Sequence, residues 1–568
     1  MVVRHAHCNG AGLDLHQDPA SNRCASALSS PCQLARLACV RERAIRAPHQ
    51  ERALETDLTL AALDLGSNSF RLELGRIADN RIVVVDSHRI AVRLAAGLTA
   101  DKLLDDAAWR RGLDALGRFA QRLSALPHTR VRAVGTNTLR VARNAPGFIA
   151  AGERVLGHPI EVIAGREEAR MIFCGVAHAA GSTPADERLL VVDIGGGSTE
   201  ISVGTGDEPD LMESLYVGSI NSTLSHFPGG YIDEYTFKQA ELAARREIQV
   251  VSAAVRSSRW SVATASSGTA RTIARLLAEN HGGDGSITAA GLRWLRKRVI
   301  ALGVIERLQF AGLKAERALN LPGGLAIMTA IFEELGIERM TVSPNALRLG
   351  VLVDLMRRLA PRRASADSRE ETVIDFETRY RCDNAQSARV SALAVTLFGQ
   401  ICGSMADPQA ETVREIDWAA RLAEVGFSIA HNGYHKHSSY VIGNADMPGF
   451  SRDEQKRLAF LILGHAGKLP KLAREAAPRE LWLSMACLRL AALMHRGRGD
   501  AGQPPLALRL DGQRLRLDLP EPWLSANPLA AYSLMQEARA WQALGADPPF
   551  VLEMSEAVMA ASGVLAAA

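Results

Sequence analysis

LTLAALDLGSNSFRLELGRIADNRIVVVDSHRI, residues 58–90, decides how the rest of the chain is read. Apolar residues crowd Leu58–Leu65, and strand-like patterning resumes after Gly66-Ser67-Asn68 and again after Asp79-Asn80. Gly, Asn and Asp adopt turn conformations that branched residues resist, so the stretch predicts three strands in an antiparallel meander. RLLVVDIGGGSTEISVG, residues 188–204, repeats the grammar: an apolar strand ends in Asp, Gly stands two places on, Ser five places on, and a second strand follows. Asp64, Gly66 and Ser69 thereby fall in step with Asp193, Gly195 and Ser198, 129 residues later. A strand-loop-strand unit recurring in this way predicts two related lobes, each giving one loop to a shared cleft. Two unrelated glycine turns are the alternative, and they do not account for the length of the match.

Between the two loops, DAAWRRGLDALGRFAQRLSAL (106–126) spaces its apolar residues by three and four, a helical pattern, and VRAVGTNTLRVA (131–142) reads as a strand. More helices lead to LNLPGGLAIMTAIFEELG (319–336) and a closing segment, MTVSPNALRLGVLVDLMRRL (340–359). This alternation predicts an α/β class. APRRASADSREE (360–371) is polar, charged and proline-bearing, which marks a linker over 361–374. From 375 one helical pattern follows another, apart from PLALRLDGQRLRLDLP (505–520), where alternation about Asp511-Gly512 signals a hairpin. The expected organisation is a first lobe over 58–186, a second over 187–360, the linker, a helical domain over 375–500 and a small α+β region over 501–568. Residues 1–57 lack the apolar middle of a secretory signal and read as an unpacked extension, or as a start codon called too early.

At 568 residues and 47% hydrophobic content the chain has enough apolar material for three or four domains. A net charge of +4 over that length leaves no block basic enough to serve as a nucleic-acid or membrane footprint. Four of the eight cysteines (Cys8, Cys24, Cys32, Cys39) lie in the first forty residues and the rest are scattered singly. That spacing suits neither zinc nor a disulfide framework, and no apolar run reaches the eighteen or so residues of a membrane span. A cytoplasmic enzyme without stable membrane insertion is the expectation.

Glycine-rich turns after a strand aim backbone N–H groups at one spot without side chains to block an oxyanion. Asp193 to Glu200, DIGGGSTE, therefore reads as a phosphate cradle whose carboxylates Asp193 and Glu200 offer hard oxygens to Mg2+, with Asp64 facing the same ion. An isolated turn of this kind also suits a hairpin with a solvated acidic rim; the pairing of the two loops favours the cradle. In IAGREEAR (163–170), Glu167 and Glu168 fall in the first turn of a helix, where the helix dipole alone would explain them. Phosphoanhydride hydrolysis needs positioning, charge neutralisation and a group that orients or deprotonates water, a role a carboxylate near the cradle fits. Arg140, in GTNTLR, is a candidate charge clamp, although a lone arginine is as readily a surface residue.

DLGSNSFRL, GTNTLR, AGREEARMIFCGV, DIGGGSTEISVG, ASSGTARTI and LPGGLAI, in this order, resemble the exopolyphosphatase and guanosine pentaphosphate phosphohydrolase family, within the wider group of actin-like, sugar-kinase-like and chaperone-ATPase folds. The resemblance runs from about residue 58 to the C-terminus, because WAARLAEVGFSIAHNGYHKHSSYVIGNADMPGFSRDEQ (418–455) looks like the helical C-terminal half of long bacterial members. It implies two actin-like lobes followed by a mostly α-helical half. It further implies that Glu168 activates the attacking water with Glu167 beside it, and that Asp64, Asp193 and Glu200 hold or orient Mg2+. Ser67, Asn68, Gly196, Gly197, Ser198, Ser267, Gly268 and Thr269 would line the phosphate path, and Arg140 would neutralise charge. The implied substrate is a linear polyphosphate gripped along a basic channel, and the implied assembly is a homodimer whose groove extends that channel.

Two positions depart from the family pattern. Ala423 stands where a His commonly precedes an acidic residue, and Leu349 stands where an acidic residue is expected. Without those partners, His431, His435, His437 and His465 read as a basic, hydrogen-bonding wall at a domain interface or tunnel; a metal site and an inert helical cap are the other readings. The leading expectation is a Mg2+-dependent exopolyphosphatase acting by direct water attack without a covalent phosphoenzyme. Guanosine pentaphosphate 5′-phosphohydrolase is the alternative on the same residues. An ATP-dependent kinase, and a non-catalytic sensor of polyphosphate or alarmone, represent other classes.

Overall fold

Leu58–Ile90 forms the expected meander. In the computed structural model, β1 (Thr59–Leu65) pairs antiparallel with β2 (Ser69–Ala78), and β2 with β3 (Arg81–Ala91). The structure describes residues 58–555 apart from 79–80, 182–186, 360–366, 403–408, 470–471, 473–476, 499–504 and 545–549, so the extension read over 1–57 and the Asp79-Asn80 turn lie outside the described residues. β4 (Val131–Gly135) runs parallel to β1, and β5 (Ile160–Val162) parallel to β4, giving the order β3-β2-β1-β4-β5.

The second sheet repeats this plan. β6 (Leu189–Ile194) has β7 (Thr199–Thr205) antiparallel on one side and β9 (Val262–Ser266) parallel on the other, as β1 has β2 and β4. With β8 (Glu208–Leu215), β10 (Ile287–Thr288) and β11 (Arg339–Val342) the order is β10-β11-β9-β6-β7-β8. The repeat holds at the level of register, with Asp64 opposite Arg71 and Asp193 opposite Glu200. These are the two actin-like lobes, with a mostly helical half after them.

Three expectations need correction. VRAVGTNTLRVA is a strand only to Gly135; after an extended Thr136 (φ −107°, ψ −151°) a helix begins at Asn137. Its β-branched residues imitate a strand, but the ladder to β1 ends at Gly135, and the Thr138 hydroxyl then donates to Ser67 Oγ at 2.8 Å. The closing helix Leu347–Leu359, placed by chain order in the second lobe, packs on the helix Gly165–Ala180 and on β1 of the first. That approach needs glycine on both sides: a Cβ on Gly350 would stand 1.7 Å from the Met171 carbonyl oxygen, and one on Gly175 2.3 Å from that of Ala346. Leu349 is buried in the same core, which accounts for an apolar residue there. The linker read over 361–374 ends early, because Asp367 caps a helix that starts at Ser368 by accepting the Arg369 N–H at 3.0 Å.

The second half is built on helices Ser368–Arg379, Asn384–Cys402, Gln409–Leu422, Tyr434–Asn444, Arg452–Gly464, Arg479–Met494 and Pro528–Gln542 around one core. The Asp511-Gly512 hairpin forms between β12 (Ala507–Asp511) and β13 (Arg514–Asp518), with Gly512 at φ +60°. A third strand, β14 (Val551–Met554), adds parallel to β13. Among the described residues no helix is long and apolar enough to cross a membrane.

The histidine-rich stretch folds into an aromatic stack rather than a set of converging ring nitrogens. Phe427 stacks on Tyr434 and His431, with centroids 4.2 and 5.2 Å apart. His465 is buried as a neutral ring: Nδ1–H donates to the Ile462 carbonyl at 2.6 Å and Nε2 accepts the Tyr434 hydroxyl at 3.0 Å. Burial pushes its pKa down from 6.5 to about 4. Below 6.5 the unfolded chain binds a proton that the folded chain refuses, so folding stability falls as pH drops from 6.5 to about 4, by up to roughly 3 kcal/mol. His465→Asn is expected to flatten this slope in unfolding midpoints measured between those pH values; an unchanged slope refutes the assignment.

Candidate active site

The carboxyl ends of four central strands meet at one cleft. β1 delivers Asp64 and the turn Gly66–Ser69, and β4 delivers Thr136 and Asn137. β6 delivers Asp193 and the turn Gly195–Ser198, and β9 delivers the N-terminus of the helix Ser267–His281. Strand ends of parallel ladders are where open α/β sheets leave room for ligands.

The second loop is held by one hydrogen bond of its own and two from the helix Ser219–His226. Gly195 N–H donates to the Ser198 carbonyl, and the N–H groups of Ser219 and Ile220 donate to the Gly195 and Gly196 carbonyls, each at 2.9 Å. A Cβ on Gly197 would stand 2.9 Å from the Asn137 amide nitrogen, so a larger residue there would push against the Asn137 side chain of the first lobe. Ser267 has φ +94°, a conformation that costs a non-glycine residue of order 1–3 kcal/mol and is kept where the surroundings over-determine it. The first-turn N–H groups of its helix lack intrahelical acceptors and suit an anion. Ser67, Asn68, Gly196, Gly197, Ser198, Ser267, Gly268 and Thr269 all line the cleft.

The acidic residues divide. Asp64, Asp193 and Glu168 line the cleft. Burial raises the pKa of Asp64 to about 6 against the pull of Arg348 and Arg71, and raises that of Asp193 to about 6 against a hydrogen bond from Ser266. The charge of Glu168 adds to both shifts. Glu168 receives Arg140 Nη1 at 2.6 Å, and the same nitrogen donates to the Ile163 carbonyl at 3.2 Å. Arg140 thus sits behind Glu168 and outside the cleft wall. Glu200 also lies behind the wall, buried and accepting the Ser214 hydroxyl at 2.9 Å; burial, then Glu168 and Asp193, hold its carboxyl well above the usual range. Glu167 turns away altogether. One helical position rotates a side chain by about 100°, and Glu167 is buried against Arg170, with both N–O distances 2.9 Å.

Four arginines that sequence reasoning missed complete the cleft: Arg71, Arg271, Arg317 and Arg348. Arg71 and Arg271 each follow a loop serine, Ser67 and Ser267, by four residues, a repeated offset that was available as a signal. Arg317 had none; it arrives on the short helix Ala315–Ala318 and lies over Gly268, where a Cβ would stand 2.4 Å from Nη2. Arg348 is tied to Glu73 at 2.7 Å, and Arg271 donates to the Pro344 carbonyl at 3.0 Å. Burial and then Arg348 lower the pKa of Arg71 to about 10, and burial lowers those of Arg271 and Arg317. Four guanidinium groups on one cleft leave room for anionic partners beyond the carboxylates beside them.

Among the described residues no three His, Cys, Asp or Glu side chains are grouped to enclose a metal. Mg2+ does not need such a cage: it keeps several waters and binds through one or two carboxylates plus substrate phosphates. Asp64 and Asp193, two carboxylates on the wall of the cleft that also holds the phosphate-cradle loops, fit that donor set. Cys174 lies within one of the matched motifs but is fully buried, with its thiol pushed up to about 12 by burial, and does not suit a nucleophile.

Residues 75–359 match the model of the Ppx/GppA phosphatase family, and residues 368–538 match that of Ppx/GppA phosphatase domain III. Among solved structures, an exopolyphosphatase from Cytophaga hutchinsonii is 25% identical over 53% of this chain and 98% of its own, with a TM-score of 0.48. The Aquifex aeolicus PPX-GPPA enzyme is 25% identical over 52% of this chain and 99% of its own, with a TM-score of 0.45.

Proposed function

Since this chain belongs to the Ppx/GppA phosphatase family, we propose that it is an exopolyphosphatase, releasing terminal orthophosphate from linear polyphosphate by direct attack of water. The observation that carries this reading is that Arg71, Arg271, Arg317 and Arg348 line one cleft together with Asp64, Asp193 and Glu168, a lining suited to many phosphate oxygens. The first-turn N–H groups after Ser267 and the turn Gly195–Ser198 hold the terminal phosphoryl group. Glu168, fixed by Arg140, accepts the proton of a water. The water oxygen bonds to the terminal phosphorus as the bond to the bridging oxygen breaks, and the shortened chain leaves with its new charge beside the arginines. Asp64 and Asp193 would hold Mg2+, which when bound neutralises charge on the phosphate oxygens. A cytoplasmic setting and a homodimer belong to the same proposal.

The test is phosphate release with Mg2+ from long-chain polyphosphate and from guanosine pentaphosphate, side by side. Faster turnover of polyphosphate supports the proposal; strong preference for the nucleotide replaces it with the 5′-phosphohydrolase. Tight polyphosphate binding without release from either substrate replaces it with a sensor. Within the first outcome, Arg71→Gln is expected to raise KM for polyphosphate about 10- to 100-fold, since a charge-assisted contact is worth roughly 1.5–3 kcal/mol. An unchanged KM removes Arg71 from the substrate path.

A further inference from the structure

The helix that carries Glu168 begins without a side-chain cap. Ala164 occupies the cap position and makes no capping hydrogen bond, so its first turn, the part of a helix least secured by its own hydrogen bonds, depends on other contacts. Two of those contacts come from the C-terminal half. Gly449 N–H donates to Glu167 Oε2 at 2.7 Å, and Arg166 pairs with Asp446 at 3.0 Å as well as with Glu213 at 2.8 Å. The Gly449 peptide is itself fixed. Its carbonyl accepts Arg358 Nη2 at 2.8 Å, its φ is +86°, and a Cβ there would stand 2.6 Å from Ser368 Oγ. On the inner side Arg170 joins Glu167 to Asp354, with Arg170 Nη2 2.5 Å from Asp354 Oδ1.

We infer that Glu167 is a positioning residue through which the loop Asp446–Gly449 of the C-terminal half sets the pose of Glu168. The inference rests on the proposed role of Glu168. Of three successive residues, Arg166 and Glu167 are gripped from the second half while Glu168 faces the cleft. Release of the grip lets the turn rotate and draws the carboxylate off the line of the attacking water. A misplacement of about 1 Å costs on the order of 100-fold in rate. The lining of the phosphate path contains no residue of this loop, so substrate affinity is not the quantity that changes.

The experiment uses the full chain, comparing the parent with Glu167→Gln and with Asp446→Ala, which alters an exposed residue outside the cleft. Three quantities are read: kcat for polyphosphate, KM, and amide hydrogen exchange over residues 165–170. Glu167→Gln is expected to lower kcat at least tenfold with KM within twofold. Asp446→Ala is expected to lower kcat two- to fivefold, and both variants to speed exchange in the first turn. Unchanged kcat in the variants overturns the inference while leaving the function intact, and a rise in KM that accounts for the whole loss overturns it as well. If Glu167→Gln does not fold, Asp446→Ala decides on the same criteria. A parent inactive on polyphosphate but with exchange speeded in both variants shows the grip to be real and the function misread, which overturns the catalytic part of the inference.

Discussion

Glu168→Gln is expected to keep the fold and bind polyphosphate while phosphate release drops by about 10²- to 10⁴-fold, the usual contribution of general acid–base catalysis. The substitution is close to isosteric, and the amide oxygen can still accept Arg140 Nη1, which lies 2.6 Å from the carboxylate. What disappears is the ability to take a proton from water. The charge balance of the pocket shifts the other way: Glu168 is among the groups that raise the pKa of Asp64 and Asp193, so both become easier to ionise in the variant. Binding of Mg2+ and substrate is therefore not expected to weaken, and the loss should appear in kcat rather than in KM. The measurement is steady-state phosphate release with a parallel binding isotherm. A variant retaining more than a tenth of the parent rate would remove Glu168 from the role of base, and Glu200, buried behind it, would become the carboxylate to test.

Asp354→Asn is expected to destabilise the chain by about 3–5 kcal/mol, the cost of uncompensated buried charge. Asp354 is 3% exposed and receives Arg132, Arg170 and Arg358. Each of these has a second partner, in Glu161, Glu167 and Glu454 respectively, but among the described residues no other carboxylate joins all three. Burial alone would raise the Asp354 pKa; Arg358, Arg170 and Arg132 outweigh it and hold the carboxyl well below the usual range. Its contribution is thus complete above the unfolded carboxyl pKa near 3.8 and is lost as pH falls below that value. Urea midpoints should drop in the variant at neutral pH, with the gap to the parent closing in acid. A midpoint unchanged at neutral pH would mean that the three arginines are satisfied by their other partners.

The pair Glu167 and Glu168 shows where sequence stops being informative. Both are glutamates in one helical turn, and nothing in their order says which faces the cleft. The answer depends on Arg170 one turn later and on Gly449, 282 residues away. Glycine spacing, by contrast, made the two loops legible, because close backbone approach is a local demand that few residues meet. The meander of residues 58–90, the repeat at 188–204 and the 511–512 hairpin were readable for the same reason. The end of β4 at Gly135 and the return of Leu347–Leu359 to the first lobe were not, since each is settled by what packs against it. Arg317 belongs to that second class: its place over Gly268 is a tertiary fact with no trace in local pattern.

The register of the two sheets has a consequence for direction. Internal duplication by itself yields two interchangeable walls, whereas a phosphoanhydride has unlike sides, one phosphoryl group attacked and one departing. At matching ladder positions this chain carries Arg71 opposite Asp64 and Glu200 opposite Asp193. That exchange of a guanidinium for a carboxyl makes the two repeats chemically unequal at the same ladder position, and the duplicated scaffold gains a sense of before and after.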